Sequence, residues 1–325
     1  RLVSDCLDTI VSDRELWTFL IQITAQIKPQ ETDIPRLIRL LEERPVNISQ
    51  FRILQYGSVL SDLDPVTIMK FLDRLAEFDE ESAPILMSIV YMYTFRDKQK
   101  FDSCMPLIKK LILERNVIAN LTNEKISRHE AYEISELIIE LLRQEDPDSQ
   151  VVEKICREIV RICEIDPVKS VKLSFVYHEM IAELFSERYV ESAWDIFASE
   201  INEKNARQYY CFKDLVGKKG NFSAGLIHNV PIPILEGWCK RSKIIAPFLA
   251  ETMTPIVKDD HQINWSNIAI FLFDNYGNNS KILKNIDVNL GNYSITGSAL
   301  PYLEAIYQAF QQIAVKMKLR MSRKK

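Results

Sequence analysis

A chain of 325 residues that is 47% hydrophobic carries enough apolar surface for one large core or two smaller ones, and with 26% charged residues it does not read as a disordered polymer. The net charge of −4 gives no global pull toward nucleic acid. No apolar run approaches the roughly 20 residues of a membrane-spanning helix, so no membrane contact is expected.

From the N-terminus to about residue 200 the apolar residues recur at helical spacing. Asp64-Pro65, Asp146-Pro147 and Asp166-Pro167 each set a capping carboxylate before a proline that suits the first helical position. Ile134, Leu137, Ile138 and Leu141 follow the i, i+3, i+4, i+7 pattern. Val152, Ile155, Cys156, Ile159, Ile162 and Cys163 extend it over three turns. Glu133, Glu136 and Glu140 share one face of the first of these helices and read as a solvated outer face rather than an acid–base pair. His178-Glu179 starts an H-E-x-x-H pattern, but the second ligand position is Ala182, so no zinc site is expected.

After residue 205 the pattern changes. Only Gly57 of the eight glycines precedes residue 216, and 205–233 reads as an irregular, glycine-containing loop. Gly217-Lys218-Lys219-Gly220 lacks the Ser or Thr and the upstream strand of a phosphate loop. Ser223 has its preceding glycine one residue too far away for a nucleophile elbow. Helical patterns resume at 234–241, 244–254, 264–276 and 298–316. Trp265, Phe271, Phe273, Leu283 and Phe310 are expected in one core. The turn Thr296-Gly297-Ser298 reads as the cap of a last helix that carries Pro301 in its first turn. The tail 316–325 holds six cations, leaving 35 basic residues against 45 acidic ones in the body, a balance of −10.

Six cysteines at 6, 104, 156, 163, 211 and 239 form no CxxC, which reads as reduced thiols in a cytoplasmic protein. Cys156 and Cys163, two turns apart, are expected to pack inward. The chain begins with Arg1 and reads as a piece of a longer one.

Gly237-Trp238-Cys239-Lys240 with Ala246–Ala250, Trp265–Ala269 with Phe271–Gly277, and Ile282-Leu283, Asn289-Leu290 and Gly297-Ser298 with Pro301-Tyr302 come in order over residues 230–316. Together they resemble the C-terminal helical-repeat regions of large bacterial NACHT/STAND-type NTPases used in antiviral defence. The family pattern often continues into a further helix, where this chain gives LRMSRKK. The resemblance implies a sensor portion that binds another protein, a viral component among the candidates, with an NTPase upstream.

The expected fold is all-α, an irregular antiparallel α-solenoid of HEAT or TPR kind, with a helical-repeat region over 1–204 and a C-terminal helical region over 205–325. The expected function is a non-catalytic protein-recognition scaffold, with no cofactor, no metal and no nucleotide hydrolysis. The alternatives are a nucleic-acid-associated module using the basic tail and a generic intracellular adaptor. Arg207, Tyr209, Tyr210 and Phe212, crowded where the helical pattern lapses, are the candidate protein-binding residues.

Overall fold

The structure is a computed structural model, and it describes residues 2–43, 47–56, 59–78, 82–121, 126–144, 148–165, 178–202, 204–217, 224–259, 262–291, 311 and 315. Helices supply nearly all of its regular structure. In chain order they are α1 (Leu2–Ser12), α2 (Trp17–Ile27), α3 (Ile34–Glu43), α4 (Pro65–Ala76), α5 (Ser82–Thr94), α6 (Lys98–Glu114), α7 (Val117–Leu121), α8 (Arg128–Leu142) and α9 (Ser149–Ile165). There follow α10 (His178–Leu184), α11 (Val190–Glu200), α12 (Ala206–Val216), α13 (Ile232–Arg241), α14 (Ile245–Thr252), α15 (Asn267–Tyr276) and α16 (Ser280–Gly291). A two-stranded antiparallel hairpin, β1 (Ile256–Asp259) and β2 (Gln262–Trp265), pairs Ile256 with Trp265 and Asp259 with Gln262. No helix among the described residues is long and apolar enough to cross a membrane.

Helix starts are set by short polar side chains that satisfy amides left over at the first turn. Asp64 accepts from Val66 N at 2.9 Å and Thr67 N at 3.0 Å, with Pro65 opening α4, as the sequence predicts. Asp97 and Asn205 do the same for α6 and α12. Ser127 and Glu130 form a reciprocal capping box at α8, with bonds of 3.1 and 2.9 Å. The other two Asp-Pro pairs, the cap proposed at 296–298, Phe310 and the tail 316–325 lie outside the described residues. So does most of the last predicted helix, of which Gln311 and Val315 are helical.

The chain packs as two compact units, Arg1–Glu158 and Ile159–Lys325. In the first unit α5 is buried almost all round, consistent with its uniformly apolar sequence SAPILMSIVYMYT. It packs against α4, α6, α8 and the 3-10 segment Ile48–Gln55, with Phe51 and Phe71 in ring contact at 5.8 Å beside it.

In the second unit a column of aromatics, Phe185 just past α10, Phe197 on α11 and Phe212 on α12, runs at centroid spacings of 5.7 and 5.2 Å. The wholly apolar start of α14 packs against α12, α13, α15 and α16, and Asn289 on α16 donates to Ala250 O at 2.8 Å. Phe271 and Leu283 are buried here, while Trp265 and Phe273 meet edge-on at 4.8 Å in a half-buried position.

Three expectations are corrected. The segment predicted as helix from 264 begins as strand, because Thr254-Pro255 ends α14 and β-branched residues then pair across the hairpin; helix starts only at the Ser266 cap, which accepts from Ala269 N at 3.3 Å. The loop predicted over 205–233 contains α12, which buries Gln208, Cys211, Phe212, Leu215 and Val216. The cysteines are not all thiols: Cys163 and Cys211 are joined as a disulfide between α9 and α12, while Cys6, Cys104, Cys156 and Cys239 are free.

Candidate functional site

The four residues singled out for protein contact lie on α12, where helical geometry sorts them by direction. Phe212 is 1% exposed and packs edge-on against Phe197, so it belongs to the core. Tyr209 is half-buried: its ring meets Phe248 edge-on at 5.2 Å and its hydroxyl donates to Glu251 Oε2 at 3.0 Å. Tyr210 is 60% exposed and leans edge-on against Tyr209 at 5.8 Å, and Arg207 is exposed on the same helix. The structure therefore brings together an outward tyrosine, an arginine, and an inner tyrosine that fixes the first.

Glu251 is the pivot of this arrangement. Its second oxygen accepts from Asn285 Nδ2 at 2.9 Å, so α12, α14 and α16 converge on one carboxylate. Lys213, one turn along α12, approaches it at 3.9 Å. A side chain held from several sides in this way has already lost much of the rotamer freedom that binding would otherwise remove.

A second aromatic surface lies in the first unit. Tyr91, Phe95, Arg96, Phe101, Glu136 and Glu140 border a depression of about 310 Å³ at the α5–α6 corner. Phe95 is 50% exposed and Tyr132 on α8 is 49% exposed. Arg96 has left-handed backbone, φ 60°, and lays its guanidinium over the Phe95 ring at 5.0 Å. Burial, then the charges of Tyr132 and Glu136, hold the Tyr91 phenol above its ordinary value. Carboxylates and cations mix here, so no single sign of charge is selected.

The glutamate face predicted to be solvated is divided. Glu140 is exposed and Glu136 half-buried, whereas Glu133 is 1% exposed. Burial pushes the Glu133 carboxyl up from the usual range, with Glu130 adding to the rise, against His129, whose Nε2 lies 3.2 Å from Glu133 Oε1. Helix α8 is covered on two sides, by α5 and by the Arg52–Glu130 ion pair at 3.3 Å, a fact that spacing along one helix does not reveal. Glu158 on α9 is likewise raised by burial. Its Oε2 accepts from Ala119 N at 3.0 Å, with Lys154 at 3.5 Å from its other oxygen.

His178-Glu179 open the short helix α10, and no cluster of three His, Cys, Asp or Glu able to hold a metal occurs among the described residues. Lys218, Lys219, Gly220 and Ser223 lie outside the described residues. Gly217 and Gly225, read from the sequence as loop residues, meet backbone to backbone: a Cβ on Gly225 would collide with the Gly217 carbonyl. Comparison of the chain with protein-family models, curated proteins and solved structures returned no match.

Proposed function

We propose that the chain is a protein-recognition scaffold, its helices stacked as an irregular α-solenoid of HEAT or TPR kind. It would serve as the ligand-sensing part of a bacterial STAND-type antiviral protein. The observation that supports recognition is the braced Tyr209–Tyr210 pair with Arg207 beside it. Tyr and Arg dominate binding hot spots, because each presents a large contact area together with directional hydrogen bonds. Bracing by Phe248 and Glu251 orders the inner ring before any partner arrives. The defence role and the foreign partner rest on the sequence resemblance over residues 230–316.

The test is affinity capture from virus-infected and uninfected bacterial lysates. The baits are the chain and its Arg207→Ala/Tyr210→Ala variant, whose exposed positions leave the core untouched. The expected result is a viral protein enriched by the parent and reduced at least about tenfold with the variant, the equivalent of losing one hot-spot contact of roughly 1.4 kcal/mol. Enrichment of no viral protein across several unrelated viruses would overturn the sensor assignment. Capture indifferent to the double variant would overturn the assignment of this surface.

A further inference from the structure

The depression at the α5–α6 corner, at about 310 Å³, reaches the range of about 300–1,000 Å³ usual for small-molecule sites. Its floor is apolar, with Phe101 on α6 and Leu137 on α8 both buried. Tyr91 and Phe95, one turn apart on the same side of α5 and its end, form an aromatic wall with ring centroids at 5.7 Å. Glu136 and Glu140, one turn apart on α8, bring carboxylates to the rim. Arg96, just past α5, and Lys98, the first residue of α6, bring cations.

These charges are not spent on one another. Neither Arg96 nor Lys98 has an ion-pair partner among the described residues. The Arg96 guanidinium lies over the Phe95 ring at 5.0 Å, and its N–H groups keep their capacity to donate. Glu140 takes one bond at Oε1, from Gln144 Nε2 at 3.2 Å, which leaves Oε2 as an acceptor. Asp97 also borders the depression, but its oxygens turn to α6, accepting from Lys100 N at 3.1 Å and lying 3.6 Å from Lys100 Nζ. Burial, Tyr132 and Glu136 raise the Tyr91 phenol while Arg96 lowers it, so both signs of charge act on one hydroxyl. Arg96 has φ 60° at a helix end, a conformation that glycine takes without strain, so the turn itself does not call for an arginine.

We propose that this depression binds a free aromatic α-amino acid as its zwitterion, the ammonium against Glu136 and Glu140, the carboxylate against Arg96 and Lys98, and the ring against Phe95. A zwitterion carries both signs close together and no net charge, so a rim of mixed charge attracts it where a simple anion or cation would meet repulsion as well. Hydrogen bonds between ionised groups are roughly twice as strong as neutral ones. Two aromatic rings in edge-on or offset contact add to the area they bury.

The depression lies in the first unit and the Arg207–Tyr210 surface in the second, so Tyr210→Ala should leave this binding unchanged. Titration calorimetry and saturation-transfer NMR on the full chain would use phenylalanine, tyrosine and tryptophan, each beside its decarboxylated amine and its deaminated acid, with phosphocholine as a zwitterion of another kind. At least one amino acid is expected to bind saturably, and at least about tenfold more tightly than its amine or its acid, the equivalent of one charge-assisted hydrogen bond. Arg96→Gly should weaken the amino acid and the acid at least about tenfold and leave the amine unchanged. Its melting midpoint should not fall below the parent's, because glycine suits the left-handed turn. Glu136→Gln/Glu140→Gln should weaken the amino acid and the amine and leave the acid unchanged. Phe95→Ala should weaken all three. Saturable binding by no amino acid, amines or acids bound as tightly as the amino acids, or charge variants that act on all three compounds alike would overturn the proposal. Binding of phosphocholine alone would do the same.

Discussion

Glu133 and Glu158 are carboxylic acids packed where helix contacts exclude water, and both are raised above the ordinary 4.5 by burial first of all. The folded state therefore holds their protons at a pH where the unfolded chain has released them. Stability from these groups is fully present below about pH 4.5 and is lost as pH rises through their raised folded values. Glu133→Gln should raise the melting midpoint at neutral pH relative to the parent. The difference should shrink toward zero in acid, as read by thermal melts across pH. Gly225 is a residue of another kind: it is small because the Gly217 carbonyl occupies the space a Cβ would need. Gly225→Ala should destabilise by about 1–3 kcal/mol, the usual cost of overpacking, where a free loop would tolerate it; urea titration checks this.

Helix α12 shows what an element adds to its residues. Its inward positions 208, 211, 212, 215 and 216 follow the i, i+3, i+4, i+7 pattern, yet two tyrosines and the glycines after it made the segment look like loop. The disulfide from Cys163 to Cys211 fastens this helix to α9 across a separation of 48 residues. In the chain-entropy description, closing a loop of that length stabilises by about 4 kcal/mol. Cys163→Ser, or reduction of the parent, should lower the unfolding midpoint by a large part of that amount. Thiol counting under denaturing, non-reducing conditions should give four free groups. At the other end of the chain, Asp64→Ala removes two bonds at the start of α4 and should cost about 1 kcal/mol in urea unfolding.

At the scale of the molecule, residues 1–158 and 159–325 each enclose a core of their own. The first is centred on α5 with Phe51 and Phe71, the second on α14 with Phe248 and the Phe185–Phe197–Phe212 column. Phe71→Ala and Phe248→Ala should each cost about 3–5 kcal/mol, because each removes a fully buried ring. The two residues belong to different compact units, so the double variant should lose the sum of the single losses to within about 0.5 kcal/mol by chemical denaturation. A shortfall well beyond that would show the two cores to be energetically coupled.

The sequence by itself determined the all-α character, the helices α8 and α9, the Asp64 start of α4 and the burial of Phe271 and Leu283, because each follows from periodicity or capping within a few residues. Only the tertiary structure decided the rest. Spacing on α8 groups Glu133 with Glu136 and Glu140, but what covers each position depends on α5 and on Arg52, far away in the chain. Tyr209, Tyr210 and Phe212 look equivalent as a cluster of aromatics, and turning them onto one helix sends Phe212 inward and Tyr210 outward. Cys163 and Cys211 carry no spacing signal, since a separation of 48 residues leaves their pairing to the packing of α9 against α12. His228 and Asn229 lie in the 3-10 segment Leu226–Asn229, Asn264 in β2 and Asn267 in α15, and together they give no motif along the chain. Their shared cavity exists only because the hairpin folds back beside the 3-10 segment, a long-range arrangement that local preference cannot encode.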